Sequence, residues 1–378
     1  MRLCPGEMTH RWSGSELGQS TGEDDRCSKI RRFPMKAGIV GFEGVGKRTL
    51  FTLLTQVAGA ATSRLELVGV LKVPDPKLQT LSRLHESRKT TPATVEFVLI
   101  PGLVKGRSRD KLDVASLRAV DVLVHVVRAF EEPSVPHPEG SVDARRDIEM
   151  MELELTLADL GVVEKRIERL EADSKKGRKG ELQDLPILTR AKDALAEGRP
   201  LREALTLEER DALRGYALLT AKPMLVVVNA GENDPRTLDL KEKPGLAFAY
   251  VSARIESEIA ELSPEEAKSF REEMGLSEGA VERVVRAAFE LMGVITFYTA
   301  GDTESRAWIV PQKTRAVKAA GTIHSDIERG FIRAEVVPYD VLVREGSWNA
   351  CRDKGLLRLE GKDYPIAEAD VVYFRFNV

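Results

Sequence analysis

Residues 36–49 read Lys36-Ala37-Gly38-Ile39-Val40-Gly41-Phe42-Glu43-Gly44-Val45-Gly46-Lys47-Arg48-Thr49. The apolar run over 37–40 predicts a buried strand, and residues 47–55 predict a helix directly after a glycine turn. Gly41, Gly46 and Lys47 have the spacing of a phosphate loop. Such a loop turns successive backbone N–H groups toward phosphate oxygens at a helix N-terminus, and the lysine adds a point charge. The whole loop, with Glu43, Gly44, Val45, Arg48 and Thr49, is the candidate nucleotide cradle. Short strands follow at 95–100, 122–127, 224–228 and 247–251, alternating with helical stretches. That rhythm predicts an α/β fold with a doubly wound, mainly parallel sheet.

Around this centre, 378 residues with 42% hydrophobic and 31% charged composition fit a globular protein of two or three domains. The net charge of −3 supplies no global positive field, so contact with nucleic acid must come from local patches. Cys4, Cys27 and Cys351 are too few and too scattered for a disulfide framework or a zinc site, which fits a reducing cytoplasm. No apolar stretch approaches the roughly 18 residues of a membrane span, so no membrane partner is expected. Residues 1–34 are rich in Ser, Gly and charge without hydrophobic periodicity and predict a disordered extension. Because patterned sequence starts at once after Met35, Met35 is expected to be the natural start, which the intact mass of the endogenous protein would test.

Between residues 130 and 216 the strand rhythm stops. Leu153, Leu157, Leu160, Ile167 and Leu170 predict one long amphipathic helix, and Leu182, Leu185, Leu188 and Leu195 a second, joined by the basic tip Lys175-Lys176-Gly177-Arg178-Lys179. The pair reads as an antiparallel hairpin whose stripe is a packing seam. From residue 293 the chain is β-rich, with strands expected at 296–300, 306–310, 334–337, 356–359 and 371–376. The expected organisation is a nucleotide domain over 36–129 and 217–292, a hairpin insertion over 130–216 and a tail domain over 293–378.

Several segments, taken together, resemble the YchF/Obg-like ATPase family of P-loop NTPases. They are Lys36-Ala37-Gly38-Ile39-Val40-Gly41, Val73-Pro74-Asp75-Pro76-Lys77, Gly102-Leu103-Val104-Lys105-Gly106, His125-Val126-Val127-Arg128 and Asn229-Ala230-Gly231-Glu232. The tail adds Thr299-Ala300-Gly301, Arg306-Ala307-Trp308, Gly330-Phe331-Ile332-Arg333-Ala334-Glu335, Glu360-Gly361-Lys362-Asp363-Tyr364 and Phe374-Arg375-Phe376-Asn377-Val378. The resemblance implies an Obg-type nucleotide domain, an inserted coiled-coil hairpin, a ubiquitin-like β-grasp TGS domain and association with the ribosome. It also implies ATP as the nucleotide, with GTP as the alternative, because Asn229 and Glu232 match the family's Asn-x-x-Glu base-reading segment. Gly102, Ser252 and Ala253 match further nucleotide contacts, and His125 and Leu103 match positions considered in hydrolysis. On the residues alone, His125 reads as a satisfied strand histidine.

The chain departs from the family where magnesium would be held. In P-loop NTPases the residue after the lysine is Ser or Thr, and a nearby strand supplies an acidic group. Here these positions are Arg48 and Leu99. Thr49 is turned about 100° away on a helix. The first switch segment is short, with Thr62 its candidate threonine, and Asp110-Lys111-Leu112-Asp113 replaces a glycine-rich run in the second. Glu43 occupies a loop position that usually faces the γ-phosphate, where a carboxylate repels a triphosphate. Hence no metal ligands are expected, and nucleotide binding with weak or absent hydrolysis is the first reading. An active ATPase and a nucleotide-free scaffold are the alternatives. Arg48 either stands near the phosphates in place of metal charge or points away, toward solvent or Glu43.

The tail domain carries twelve basic and twelve acidic residues, so it lacks a net positive field. Lys175, Lys176, Arg178 and Lys179 form the candidate RNA contact, with a solvated helix connection as the alternative, and DNA is not expected.

Overall fold

The computed structural model describes residues 35–57, 67–100, 114–175, 182–231, 240–274 and 278–377. Residues 1–34, Thr62, Gly102, Leu103, Glu232 and the tip residues Lys176, Arg178 and Lys179 therefore lie outside the described residues.

Twelve strands are described: β1 Met35–Val40, β2 Leu67–Lys72, β3 Lys89–Thr91, β4 Thr94–Leu99, β5 Val122–Ala129, β6 Met224–Ala230, β7 Leu246–Val251, β8 Val294–Thr299, β9 Glu304–Pro311, β10 Phe331–Pro338, β11 Arg358–Glu360 and β12 Asp370–Phe376. The first sheet has the order β2-β4-β1-β5-β6-β7, parallel except for the antiparallel edge pair β2/β4. Its central strands are buried on both faces, which is why β5 and β6 are mostly apolar, with His125, Arg128 and Asn229 the exceptions. Helix α1, Lys47–Thr55, packs Leu50, Phe51 and Leu54 into the core on one face, while Val40, Leu123, Val127 and Val226 fill the other.

Helix α2, Pro76–Leu84, starts at Asp75, whose carboxylate accepts from Leu78 N–H at 3.0 Å. A further short helix, α3, spans Val114–Ala119. Helix α4, Ala144–Lys175, runs 32 residues, and α5, Leu185–Ala196, folds back on it. Their seam differs from the leucine count in the sequence. Ile148, Met151, Leu155, Asp159, Val163, Ile167 and Leu170 form the buried line, while Leu153 and Leu157 are 55% and 43% exposed. The steps of three and four from Ile148 to Leu170 pass through Met, Val and one Asp, so following leucines alone selects the wrong face at the helix start.

Asp159 is buried because it is used: its carboxylate accepts from Leu219 N–H (2.9 Å), Thr220 N–H (2.7 Å) and Thr220 Oγ (2.7 Å). These bonds fasten the hairpin to the chain that returns into β6.

In the tail, β8 and β9 form a hairpin, the helix Ala316–Ile323 crosses, and β10, β11 and β12 complete the sheet β11-β10-β12-β8-β9. The last strand lies parallel to the first, the topology of a β-grasp fold. The sequence pattern does not reveal β3. It adds parallel to β9 as a sixth strand, with Ser87 Oγ donating to Gly301 O at 2.6 Å and Tyr298 Oη to Asp75 at 2.9 Å. Among the described residues no helix is long and apolar enough to cross a membrane.

Asp159→Ala leaves two buried backbone donors and a hydroxyl without acceptors. It is expected to lower unfolding free energy by about 3 kcal/mol in urea denaturation, whereas Leu153→Ala, on the exposed side, should change it by less than about 0.5 kcal/mol.

Candidate nucleotide site

The loop after β1 depends on positive backbone φ angles: 146° at Gly41, 76° at Gly44 and 91° at Gly46. At all three a side chain would also collide, at Gly44 with Val135 Cγ1 at 2.8 Å and more severely at the other two. A Cβ at Gly41 would sit 2.4 Å from Val126 O, and one at Gly46 only 2.1 Å from Asn229 Nδ2. The second approach has a purpose, because Asn229 Nδ2 donates to Val45 O at 3.0 Å while its Oδ1 accepts from Ala253 N–H at 3.0 Å. One buried carboxamide thus ties the phosphate loop to the Ser252-Ala253 turn. The structure brings Asn229 and the Ser252-Ala253 turn to the loop.

Lys47 opens α1 and folds back over the loop, its Nζ donating to Gly41 O at 2.9 Å and to Phe42 O. Burial pushes its pKa down to about 8, Arg48 acting in the same direction and Glu43 against it. Glu43 and Arg48 are exposed and Thr49 is half-buried.

Leu99 is 6% exposed and packs in the same apolar cluster as Phe51, Leu54 and Leu71. Its side chain is core, so this position offers no carboxylate to a cation. Among the described residues no group of three or more His, Cys, Asp or Glu side chains could hold a metal. A guanidinium and an isobutyl group are the wrong chemistry for a hard cation that takes oxygen ligands, so the described residues do not fit magnesium.

His125 lies within β5, paired with Val40 of β1 and Val226 of β6, and is fully buried. Contrary to the expected satisfied histidine, neither ring nitrogen has a hydrogen-bond partner among the described residues. Desolvation, with Lys47 adding to it, lowers its pKa to about 3. The apolar strands on either side enclose a ring that the sequence marks only as polar.

Arg128 had no role in the sequence reading, although it stands in the His125-Val126-Val127-Arg128 segment. Its buried guanidinium donates to Phe130 O (2.9 Å), Glu132 O (3.1 Å) and Val135 O (2.7 Å). This winds the chain after β5 into a fixed loop, which places Val135 beside Gly44 and His137 against the Phe42 ring. His137 Nδ1 accepts from Glu139 N–H, so Nε2 carries the proton donated to buried Asp147 at 2.9 Å. No local pattern links Arg128 to three carbonyls downstream, and only the folded loop reveals it.

Sheet order, left-handed glycines and a lysine over the loop define a P-loop nucleotide domain. A family model described as YchF-GTPase_C, protein of unknown function (DUF933), matches residues 294–377. The chain is 40% identical over 365 residues to the Ribosome-binding ATPase YchF of Bacillus subtilis (strain 168), covering 91% of this chain and 100% of the relative. It is 33% identical over 368 residues to Obg-like ATPase 1 of Rattus norvegicus, covering 91% and 92%. The solved structure of the Schizosaccharomyces pombe YchF GTPase superposes with a TM-score of 0.76 at 26% identity, covering 90% of this chain and 97% of that one. The chain belongs to the YchF/Obg-like ATPase family.

Burial of neutral His125 has a pH signature. Its folded pKa lies below the unfolded value of 6.5, so the unfolded state takes up a proton first and stability falls as pH drops below 6.5. From pH 7 to pH 5 this residue should cost about 2 kcal/mol. His125→Leu is expected to remove that loss, measured by urea denaturation of both proteins at the two pH values.

Proposed function

We propose that this protein binds an adenine nucleotide in its phosphate loop, ATP in preference to GTP, hydrolyses it weakly or not at all, and acts through association with the ribosome. The observation that carries this is the contrast within one site. The glycine turns and buried Lys47 of a phosphate cradle are intact, while the metal-ligand positions hold an exposed Arg48 and a buried Leu99. Phosphate binding needs the first set and magnesium-assisted transfer needs the second.

The preference for adenine follows from Asn229-Ala230-Gly231-Glu232, where the lysine and aspartate of guanine-reading segments are missing. The nucleotide contacts proposed are Gly41, Glu43, Gly44, Val45, Gly46, Lys47, Arg48, Thr49, Gly102, Asn229, Glu232, Ser252 and Ala253. Asn229 shapes the loop in this reading and Lys47 supplies charge. Arg48, whose charge already depresses the Lys47 pKa, adds a second cation beside the phosphates. Relatives named ribosome-binding ATPases align with this chain along their whole length, which supports the ribosome as the setting.

Calorimetric titration with ATP, ADP and GTP, with and without chelator, tests the proposal. Adenine nucleotides should bind, and chelator should change affinity by less than about threefold. Binding that requires magnesium, or no binding of any nucleotide, contradicts it.

The lysine adds a pH dependence. Protonated Lys47 is the binding form, so as pH rises through 8 the unbound protein loses the proton that the complex needs. ATP affinity should fall by up to about tenfold per pH unit above 8. Lys47→Met should bind at least about thirtyfold more weakly and lose this slope.

A further inference from the structure

The helix Pro264–Glu273 carries an apolar stripe longer than the surface it packs on. Its start is well defined: Ser263 caps the N-terminus in a capping box with Glu266, and Pro264 stands in the first turn. Ala267, Phe270 and Met274 recur at steps of three and four, which puts them on one face. Of the three, only Ala267 is buried, in a small cluster with Ile255 and Ile259 of the preceding helix, Ala253–Ile259. Phe270 is 38% and Met274 44% exposed, and Leu262, at the entry to the helix, is 40% exposed.

The charge around this face has one sign. Residues 253–274 hold seven glutamates against three basic residues. All three basic side chains already face a glutamate of the same segment: Arg254 lies 3.2 Å from Glu258, Lys268 3.8 Å from Glu272 and Arg271 3.7 Å from Glu256. The excess falls on Glu261, Glu265, Glu266 and Glu273, all exposed. Glu266 and Glu273 stand four residues before and three after Phe270, so carboxylates flank the apolar stripe where it leaves the core.

We propose that this face docks a basic amphipathic helix of a partner protein, with the partner's apolar side on Phe270 and Met274 and its Lys or Arg residues against Glu266 and Glu273. An aromatic ring and an adaptable methionine one turn apart are suitable anchors for a helix laid across them. The charges select the occupant. Nucleic acid and anionic lipid carry phosphates that this field repels, and a second copy of the chain would set glutamate against glutamate. A basic helix satisfies both the apolar stripe and the carboxylates beside it.

The test titrates the full chain into a fluorescein-labelled peptide of about eighteen residues, or five helical turns, in which Leu and Lys recur at helical spacing, followed by anisotropy. Oligolysine of equal length is the control for charge alone. The amphipathic peptide should bind at least about tenfold more tightly than oligolysine, and its affinity should fall as salt rises. Phe270→Ala should weaken binding about tenfold and Glu273→Gln about threefold, both at unchanged melting temperature. No binding of the amphipathic peptide, equal affinity for oligolysine, or undiminished binding by both variants overturns the proposal. So does self-association of the free chain that Phe270→Ala abolishes, which assigns the face to a second copy. Flotation with phosphatidylglycerol vesicles that Phe270→Ala abolishes assigns it to a membrane surface and overturns the proposal as well.

Discussion

The close approach of Asn229 to Gly46 holds the nucleotide end of the sheet together. One carboxamide donates into the loop at Val45 and accepts from the Ala253 turn, so the ends of β1, β6 and β7 are fixed relative to one another. The contact exists only because residue 46 has no side chain. A Cβ there would overlap the amide nitrogen, and the φ of 91° disfavours any other residue. Lys47 folds back onto the carbonyl oxygens that the turned loop presents.

This architecture separates two properties that usually travel together. Backbone geometry at the loop is set by glycines and by Asn229, none of which contacts a metal in P-loop chemistry. Metal ligation in P-loop chemistry depends on the side chains at the positions of Arg48, which is exposed, and Leu99, which is not. Leu99 joins the apolar cluster beneath α1. Returning a carboxylate there would bury a charge among Phe51, Leu54 and Leu71, at a cost of several kcal/mol. The leucine at this position is part of the stability of the domain.

Much of this was legible in the sequence because strand periodicity and the glycine spacing are local signals. The parallel sheet, the hairpin and the β-grasp tail follow from them and from the family resemblance. Four features were not legible. Edge strand β3 is three residues long and pairs with β9, more than two hundred residues away. The α4 seam passes through Asp159, a residue no hydrophobic count includes. At the site, the glycine spacing marked the loop, but nothing in the sequence marked Arg128 as fixing the neighbouring segment through three carbonyls. His125 was read as a satisfied strand histidine, and its unpartnered ring could be recognised only from the burial of both faces of β5.

Phosphate release from saturating ATP, in the presence of magnesium and purified ribosomes, tests the central claim most directly. Ribosomes are included so that any catalytic group supplied by a partner takes part. The account expects at most a slow release, close to that of the Lys47→Met variant under the same conditions. Sustained, Lys47-dependent turnover would contradict it, because the chemistry would then run without the two ligand positions on which the account relies.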